Sequence, residues 1–346
     1  MKKIAVLALA AAAAMSAQAQ SSVTLFGLVD LSVNSVKNGS VSQKSMDSAG
    51  LNTSRLGFRG VEDLGGGMTA GFHLEAGLNP DTGAAGGSVG NSNTGFFNRR
   101  STVSLNGSFG EVRLGRDYNV GFNVASKFDA FGANGFGTAY NLYNGKAVAL
   151  NTKAGDSVAR INNAVSYFLP GKLGGVYGQL QVGAPEGVAG NGYKGGMIGY
   201  AAGPVDVAVS FSQIDVFGTE KYKVANIGAS YNFGVVKVYG LYDQRKYLAQ
   251  KHTTYELSAS VPLGQGEFRA AYAALNAEGG TAAFNGSDAK LFGFEYIYNL
   301  SKRTAVYAQT GRLTNDGASA LTLGGAATTA TGFKSTAYGA GVRHTF

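Results

Sequence analysis

Thr336-Ala-Tyr-Gly-Ala-Gly-Val-Arg-His-Thr-Phe346 closes the chain. The stretch alternates apolar with small or polar residues and ends on an aromatic, the period-two pattern of a strand with one buried face. At the opposite end Lys2 and Lys3 precede an apolar run from Ile4 to Met15, followed by Ala17-Gln18-Ala19, a small-x-small cleavage site. A cleaved leader over 1–19 and a terminal aromatic strand point together to an exported β-barrel of an outer membrane, with the mature chain 20–346 starting at Gln20. The leader is too short for a membrane helix, which needs about 20 apolar residues, and no later stretch is long enough and uncharged enough to be one.

Composition narrows the class. Gly accounts for 53 of 346 residues, Pro for only 5, and Tyr and Phe for 18 and 20, with no Trp and no Cys. That is neither collagen nor Pro-rich disorder, and without Cys the fold must hold through backbone pairing and burial, with no disulfide. Losing Lys2 and Lys3 from 29 basic residues leaves 27 against 21 acidic ones, a mature net charge of +6. These cations are dispersed singly instead of gathered on a patch, which argues against nucleic acid as a partner.

Segments of about ten residues alternating apolar with small or polar side chains recur along the chain, the signal of transmembrane strands. Val205, Val207, Val209 and Phe211 share one face and Asp206, Ala208, Ser210 and Ser212 the other; Phe292, Phe294, Tyr296 and Tyr298 likewise oppose Gly293, Glu295, Ile297 and Asn299. The pattern predicts about sixteen strands, from 22–33 and 52–61 at the start to 336–346 at the end, in an all-β antiparallel transmembrane barrel. Connectors alternate in length. Those at Gly107-Ser108-Phe109, Asn232-Phe233-Gly234 and Leu300-Ser301-Lys302 are short, and those near 34–51, 79–95, 118–158, 278–289 and 315–335 are long, as expected of short periplasmic turns facing long outer loops. About sixteen strands close around a lumen too wide for side chains to fill, leaving an aqueous channel. The connector 118–158, with Phe128-Asp-Ala-Phe-Gly-Ala-Asn-Gly-Phe-Gly, is either an ordinary surface loop or one folded inward as a constriction.

Phase also sorts the arginines, because an Arg facing lipid at mid-bilayer costs roughly 2–4 kcal/mol. Leu56 and Phe58 face out, so Arg55 and Arg59 point inward. Val103 and Leu105 place Arg100, Thr102 and Ser104 inside and leave Arg99 in the outward phase near a strand end, where it can snorkel. Ile161, Val165 and Tyr167 face out and Arg160 in, and Val112 and Leu114 put Glu111 and Arg113 inside. Such arginines either attract anions, as a ring of fixed cations in a polar pore does, or only fill space and pair with Asp30, Glu75 or Glu111. Asp117 and Asp129 are the candidate acids of the loop.

Enzymatic readings find little support. His73, His252 and His344 are far apart in sequence, and no phosphate loop or metal-ligand cluster is visible, so neither a catalytic residue nor a metal or cofactor is expected. A sugar-specific channel would need a lengthwise aromatic track, and the inward-phase Phe26 and Tyr177 are too few to make one. A substrate-specific channel for an organic anion or sugar, and a barrel enzyme or adhesin, stay as the alternatives.

Six stretches then carry a resemblance: Ser21-Ser-Val-Thr-Leu-Phe-Gly-Leu-Val-Asp, Ser54-Arg-Leu-Gly-Phe-Arg-Gly-Val-Glu-Asp-Leu-Gly-Gly-Gly, Phe97-Asn-Arg-Arg-Ser-Thr-Val-Ser-Leu, Phe109-Gly-Glu-Val-Arg-Leu-Gly-Arg-Asp-Tyr, Arg160-Ile-Asn-Asn-Ala-Val-Ser-Tyr and Gly341-Val-Arg-His-Thr-Phe. Each is short, but together they span the mature chain, which resembles the β-proteobacterial Gram-negative porins. The resemblance implies a homotrimer of sixteen-stranded barrels surrounded by outer-membrane lipid, passing small hydrophilic solutes and ions. It also implies an inward third loop facing a ladder of wall arginines, to which Arg55, Arg100 and Arg160 correspond, with a mild preference for anions. Phe346 then serves as the signal read by the barrel-assembly machinery as well as a girdle aromatic.

Overall fold

The computed structural model describes residues 22–85, 95–143, 159–186, 192–216, 220–324 and 330–346. The expected leader and the second part of the candidate loop, 144–158, lie outside these residues. Within them run β1 (Ser22–Asn38), β2 (Val41–Ser48), β3 (Arg55–Gly65), β4 (Met68–Asn79), β5 (Ala84–Ala85), β6 (Arg100–Gly107), β7 (Gly110–Tyr118), β8 (Arg160–Phe168) and β9 (Val176–Gly183). There follow β10 (Tyr193–Ala202), β11 (Val205–Asp215), β12 (Lys221–Asn232), β13 (Lys237–Tyr247), β14 (Gln250–Leu263), β15 (Gly266–Glu278), β16 (Ala289–Asn299), β17 (Thr304–Asn315) and β18 (Lys334–Thr345). Two helices, α1 (Val120–Lys127) and α2 (Tyr140–Tyr143), interrupt the series after β7.

Every pairing is antiparallel, and β1 meets β18 from Leu28↔Thr345 to Asn38↔Ser335, which closes the sheet on itself. Full closure leaves no unpaired edge, the condition for a sheet to cross lipid. Segments β2 and β3 both pair with β1, over Leu31–Asn38 and Ser22–Leu28, so they form one interrupted strand, and β5 is only a short arm against β4. The wall therefore has sixteen strands. The expected long connector 34–51 is thus mostly strand: β1 continues to Asn38, turns at Gly39 (φ 60) and returns as β2.

The period-two pattern sorts side chains as anticipated. Val207, Val209 and Phe211, and Phe292, Phe294, Tyr296 and Tyr298, are exposed on the outer face, while Ala208, Ser210, Ser212 and Glu295 are buried on the inner one. A barrel with apolar residues outside and polar ones inside reverses the soluble arrangement because lipid, not water, solvates its exterior.

Two local features position the lumen. The gap between β2 and β3 bends inward and is held by Asp30, which accepts from the Leu51 amide (3.0 Å), the Asn52 amide (2.6 Å) and the Tyr307 hydroxyl. After β7, residues 119–143 pack against inner-face residues of the wall. Val120, Val124, Ala125 and Phe128 of this segment are buried, α1 lies along β9 to β12, the Ala130 amide donates to Ser258 Oγ (3.1 Å), and the Phe136 amide to Gln309 Oε1 (3.0 Å). Two wall glycines make this seating possible: a Cβ on Gly228 would overlap the Phe128 ring, and one on Gly293 would overlap the Gly137 backbone.

Candidate functional site

Where β3, β4, β6, β7 and β8 face the inner loop, the lumen wall carries a cluster of arginines. Arg55 begins β3 just after the gap, and its Nε donates to the Thr53 carbonyl (2.9 Å). Arg160 begins β8; its Nε donates to the Arg99 carbonyl (2.8 Å) and its Nη2 to the Tyr118 hydroxyl (2.9 Å), with the guanidinium carbon 4.4 Å from the Tyr118 ring centre. Arg99 donates to the same hydroxyl (2.9 Å) and to Glu75 Oε1 (2.5 Å).

Arg99 is therefore turned inward, a correction to the outward phase read from alternation. It precedes β6, which starts at Arg100, so strand alternation does not govern it; its amide donates to the Glu75 carbonyl and its side chain is only 3% exposed. Ile161 is a second correction. It is buried in an inner cluster with Val120, Ala164 and Tyr193, because Asn163 takes φ 52 and the β7–β8 register shifts between Gly115 and Asp117. The extra residue of this single bulge reverses the phase beyond it.

Charge counting distinguishes two arginine groups. Arg100 makes a paired contact with Asp117 (2.7 and 3.0 Å), and Arg113 bridges Asp117 (2.6 Å) and Glu111 (2.9 and 3.0 Å). Two cations meet two carboxylates there, so that group is locally neutral. Among the described residues Arg55 and Arg99 contact one carboxylate, Glu75, which lies 3.8 Å from Arg55 and also meets His73 Nε2 at 3.3 Å, while Arg160 lies against Arg99 and Tyr118. The remaining acceptors of that trio are carbonyls and a phenol, which fix orientation without cancelling charge, so among the described residues the cluster keeps a surplus of about two positive charges.

The other expected residues spread over the inner wall. Arg59 lies exposed in the lumen, 5.2 Å from the Phe26 ring, and a further arginine outside that set, Arg269, pairs with Glu267 and Glu295. Asp117 sits on β7 instead of in the loop. Asp129 accepts from the Phe131 amide (2.7 Å), the Ala133 amide (3.0 Å) and the Thr138 hydroxyl (2.6 Å), closing a turn of its own loop. Asp30 is buried at the gap instead of facing the arginines. Of the histidines, His252 stacks on Phe284 at 4.8 Å and His344 Nδ1 meets Thr304 Oγ1 at 2.9 Å, both away from His73. Phe346 faces outward, exchanging main-chain hydrogen bonds with Gly27 (3.2 and 3.0 Å).

Alternation could not find the ring assembly beside the cluster. Tyr118 stacks on Phe122 (4.8 Å, 20°), Phe122 meets Tyr140 edge-on (5.6 Å, 75°), and Tyr140 meets Tyr143 (5.5 Å, 87°). A buried pair, Arg245 with Asp243 (2.7 Å), adjoins its far end, the guanidinium carbon 4.1 Å from the Tyr143 ring centre.

The family model for Gram-negative porins matches residues 5–318. Outer membrane porin protein 32 of Delftia acidovorans is 37% identical over 370 residues, with all of both chains covered. An outer membrane porin protein of Bordetella pertussis is 28% identical over 425 residues, again with both covered in full. Among solved structures, an anion-selective porin from Comamonas acidovorans superposes with a TM-score of 0.83 at 36% identity, covering 94% of this chain and 100% of that one. A closed sixteen-stranded barrel with an apolar exterior, a polar lumen and full-length similarity of this kind leads to one conclusion: the chain belongs to the Gram-negative porin family.

Proposed function

We propose that this outer-membrane porin is a general diffusion channel with a mild preference for anions, set at a constriction between the inner loop and the Arg55, Arg99 and Arg160 cluster. The observation that carries this reading is the charge imbalance: three guanidiniums against Glu75, beside an Arg100 and Arg113 group balanced by Asp117 and Glu111. Fixed cations in a narrow polar passage raise the local anion concentration. Water around them screens the charge and keeps binding weak enough for release. The anion selectivity named for the Comamonas acidovorans porin agrees with this reading.

The role assigned to the loop follows from its seating. Buried anchors on α1 and hydrogen bonds to Ser258 and Gln309 hold it across the inner wall, so it occupies lumen that sixteen strands would otherwise leave open. We also assign the chain a trimeric state, supported by the apolar outer surface along the β1–β18 seam, where Val23, Leu25, Val33, Tyr338 and Val342 are exposed. The experiment that tests the channel reading is the swelling of proteoliposomes in uncharged solutes of increasing size. Swelling that is fast for a pentose and falls steeply toward a trisaccharide supports a water-filled constriction; no swelling with any solute rejects it.

A further inference from the structure

The rings on the loop side of the constriction are placed where packing alone would not put them. Helix α1 buries Val120, Gly121, Val124 and Ala125 against the wall. Phe122 falls on the other side of the helix and stays partly exposed, although an aromatic ring is normally drawn to the buried face. Tyr118 and Tyr140 are also partly exposed and flank it, one by stacking and one edge-on. The Arg160 guanidinium lies over Tyr118 at one end of this file, and Arg245 over the buried Tyr143 at the other.

We propose that this file and the arginine cluster together bind flat aromatic carboxylates, with the carboxylate toward Arg55, Arg99 and Arg160 and the ring against Phe122 and Tyr140. The inference rests on the reading that those arginines attract anions. A ring edge carries partial positive charge and a ring face partial negative charge, so an incoming ring adds a further edge or face contact to the file. A saturated ring of equal charge and similar size lacks that quadrupole. A sugar would find the rings, but its neutral hydroxyls would gain little from a surplus of fixed charge.

The test compares benzoate with cyclohexanecarboxylate as inhibitors of chloride conductance through the full-length protein in planar bilayers. Wild type should bind benzoate about fivefold more tightly than the saturated acid. Phe122→Leu, which keeps apolar bulk without the ring, should bring the ratio close to one, and Phe122→Tyr should restore it. Equal inhibition of wild type by the two acids overturns the proposal, and a ratio unchanged in Phe122→Leu overturns the assignment to this file. Reversal potential in potassium chloride, recorded on the same channels, separates the two levels. Chloride preference without benzoate preference rejects the aromatic site alone, whereas potassium preference rejects the anion reading on which it rests.

Discussion

Neutralising Arg55 should lower the ratio of chloride to potassium permeability by about fourfold. Arg55 is suited to the test because its side chain is 24% exposed to the lumen and its guanidinium has one hydrogen bond, to the Thr53 carbonyl. Arg55→Gln therefore removes charge without stranding a buried partner. A unit charge about 5 Å from a passing ion is worth about 0.8 kcal/mol in water, and screening at about 0.15 M salt roughly halves it. The anion loses that attraction while the cation escapes an equal repulsion. The two permeabilities then move apart by about 0.9 kcal/mol, or about fourfold. Glu75→Gln, which raises the local surplus by one charge, should move the ratio the other way. The assay is the zero-current potential of single channels in a potassium chloride gradient, with circular dichroism confirming the barrel. A ratio for Arg55→Gln within experimental error of wild type would refute the reasoning, because no charge this close to the ion path can be silent.

Three further outcomes follow from the same geometry. Gly293→Val should reduce single-channel conductance, since any side chain at that wall position displaces the Gly137 backbone toward the axis; unchanged conductance would contradict the seating of the loop. Because guanidiniums hold their charge across neutral and mildly alkaline conditions, ion selectivity should be flat between about pH 7 and about pH 9, and a marked drift over that range would assign the selectivity to other groups. Deleting Phe346 should lower the outer-membrane yield more than it alters the conductance of assembled channels, since the residue zips β18 to Gly27 at the barrel seam and packs its ring there; normal yield would leave it only a girdle role.

Most of the wall was legible in the sequence because a strand reports its two faces residue by residue, and lipid on one side makes the alternation strict. Arg55, Arg100 and Arg113 lie on the inner face as phase predicts. The errors occur where the backbone leaves that rule. Arg99 stands one residue ahead of β6, and Ile161 lies beyond the irregular backbone at Asn163. The β1–β2 hairpin had a readable cue in Asn38-Gly39, a dipeptide suited to a tight turn with positive φ, but it fell within a segment assigned as loop. The loop itself carried no period. Tyr118, Phe122, Tyr140 and Tyr143 come together only through the path of the chain inside the lumen, and that path depends on contacts with Ser258 and Gln309 more than a hundred residues away. Charge compensation was hidden for the same reason. Sequence shows how many arginines face inward but not that Asp117 and Glu111 neutralise one group while, among the described residues, Glu75 alone serves the other.

The sign of the ion selectivity tests the central claim most directly. Purified wild-type protein, reconstituted in a planar bilayer across a potassium chloride gradient, should give stepwise conductance and a reversal potential of the sign set by chloride. Stepwise conductance with a reversal potential set by potassium would contradict the claim that the Arg55, Arg99 and Arg160 surplus governs the passage of ions.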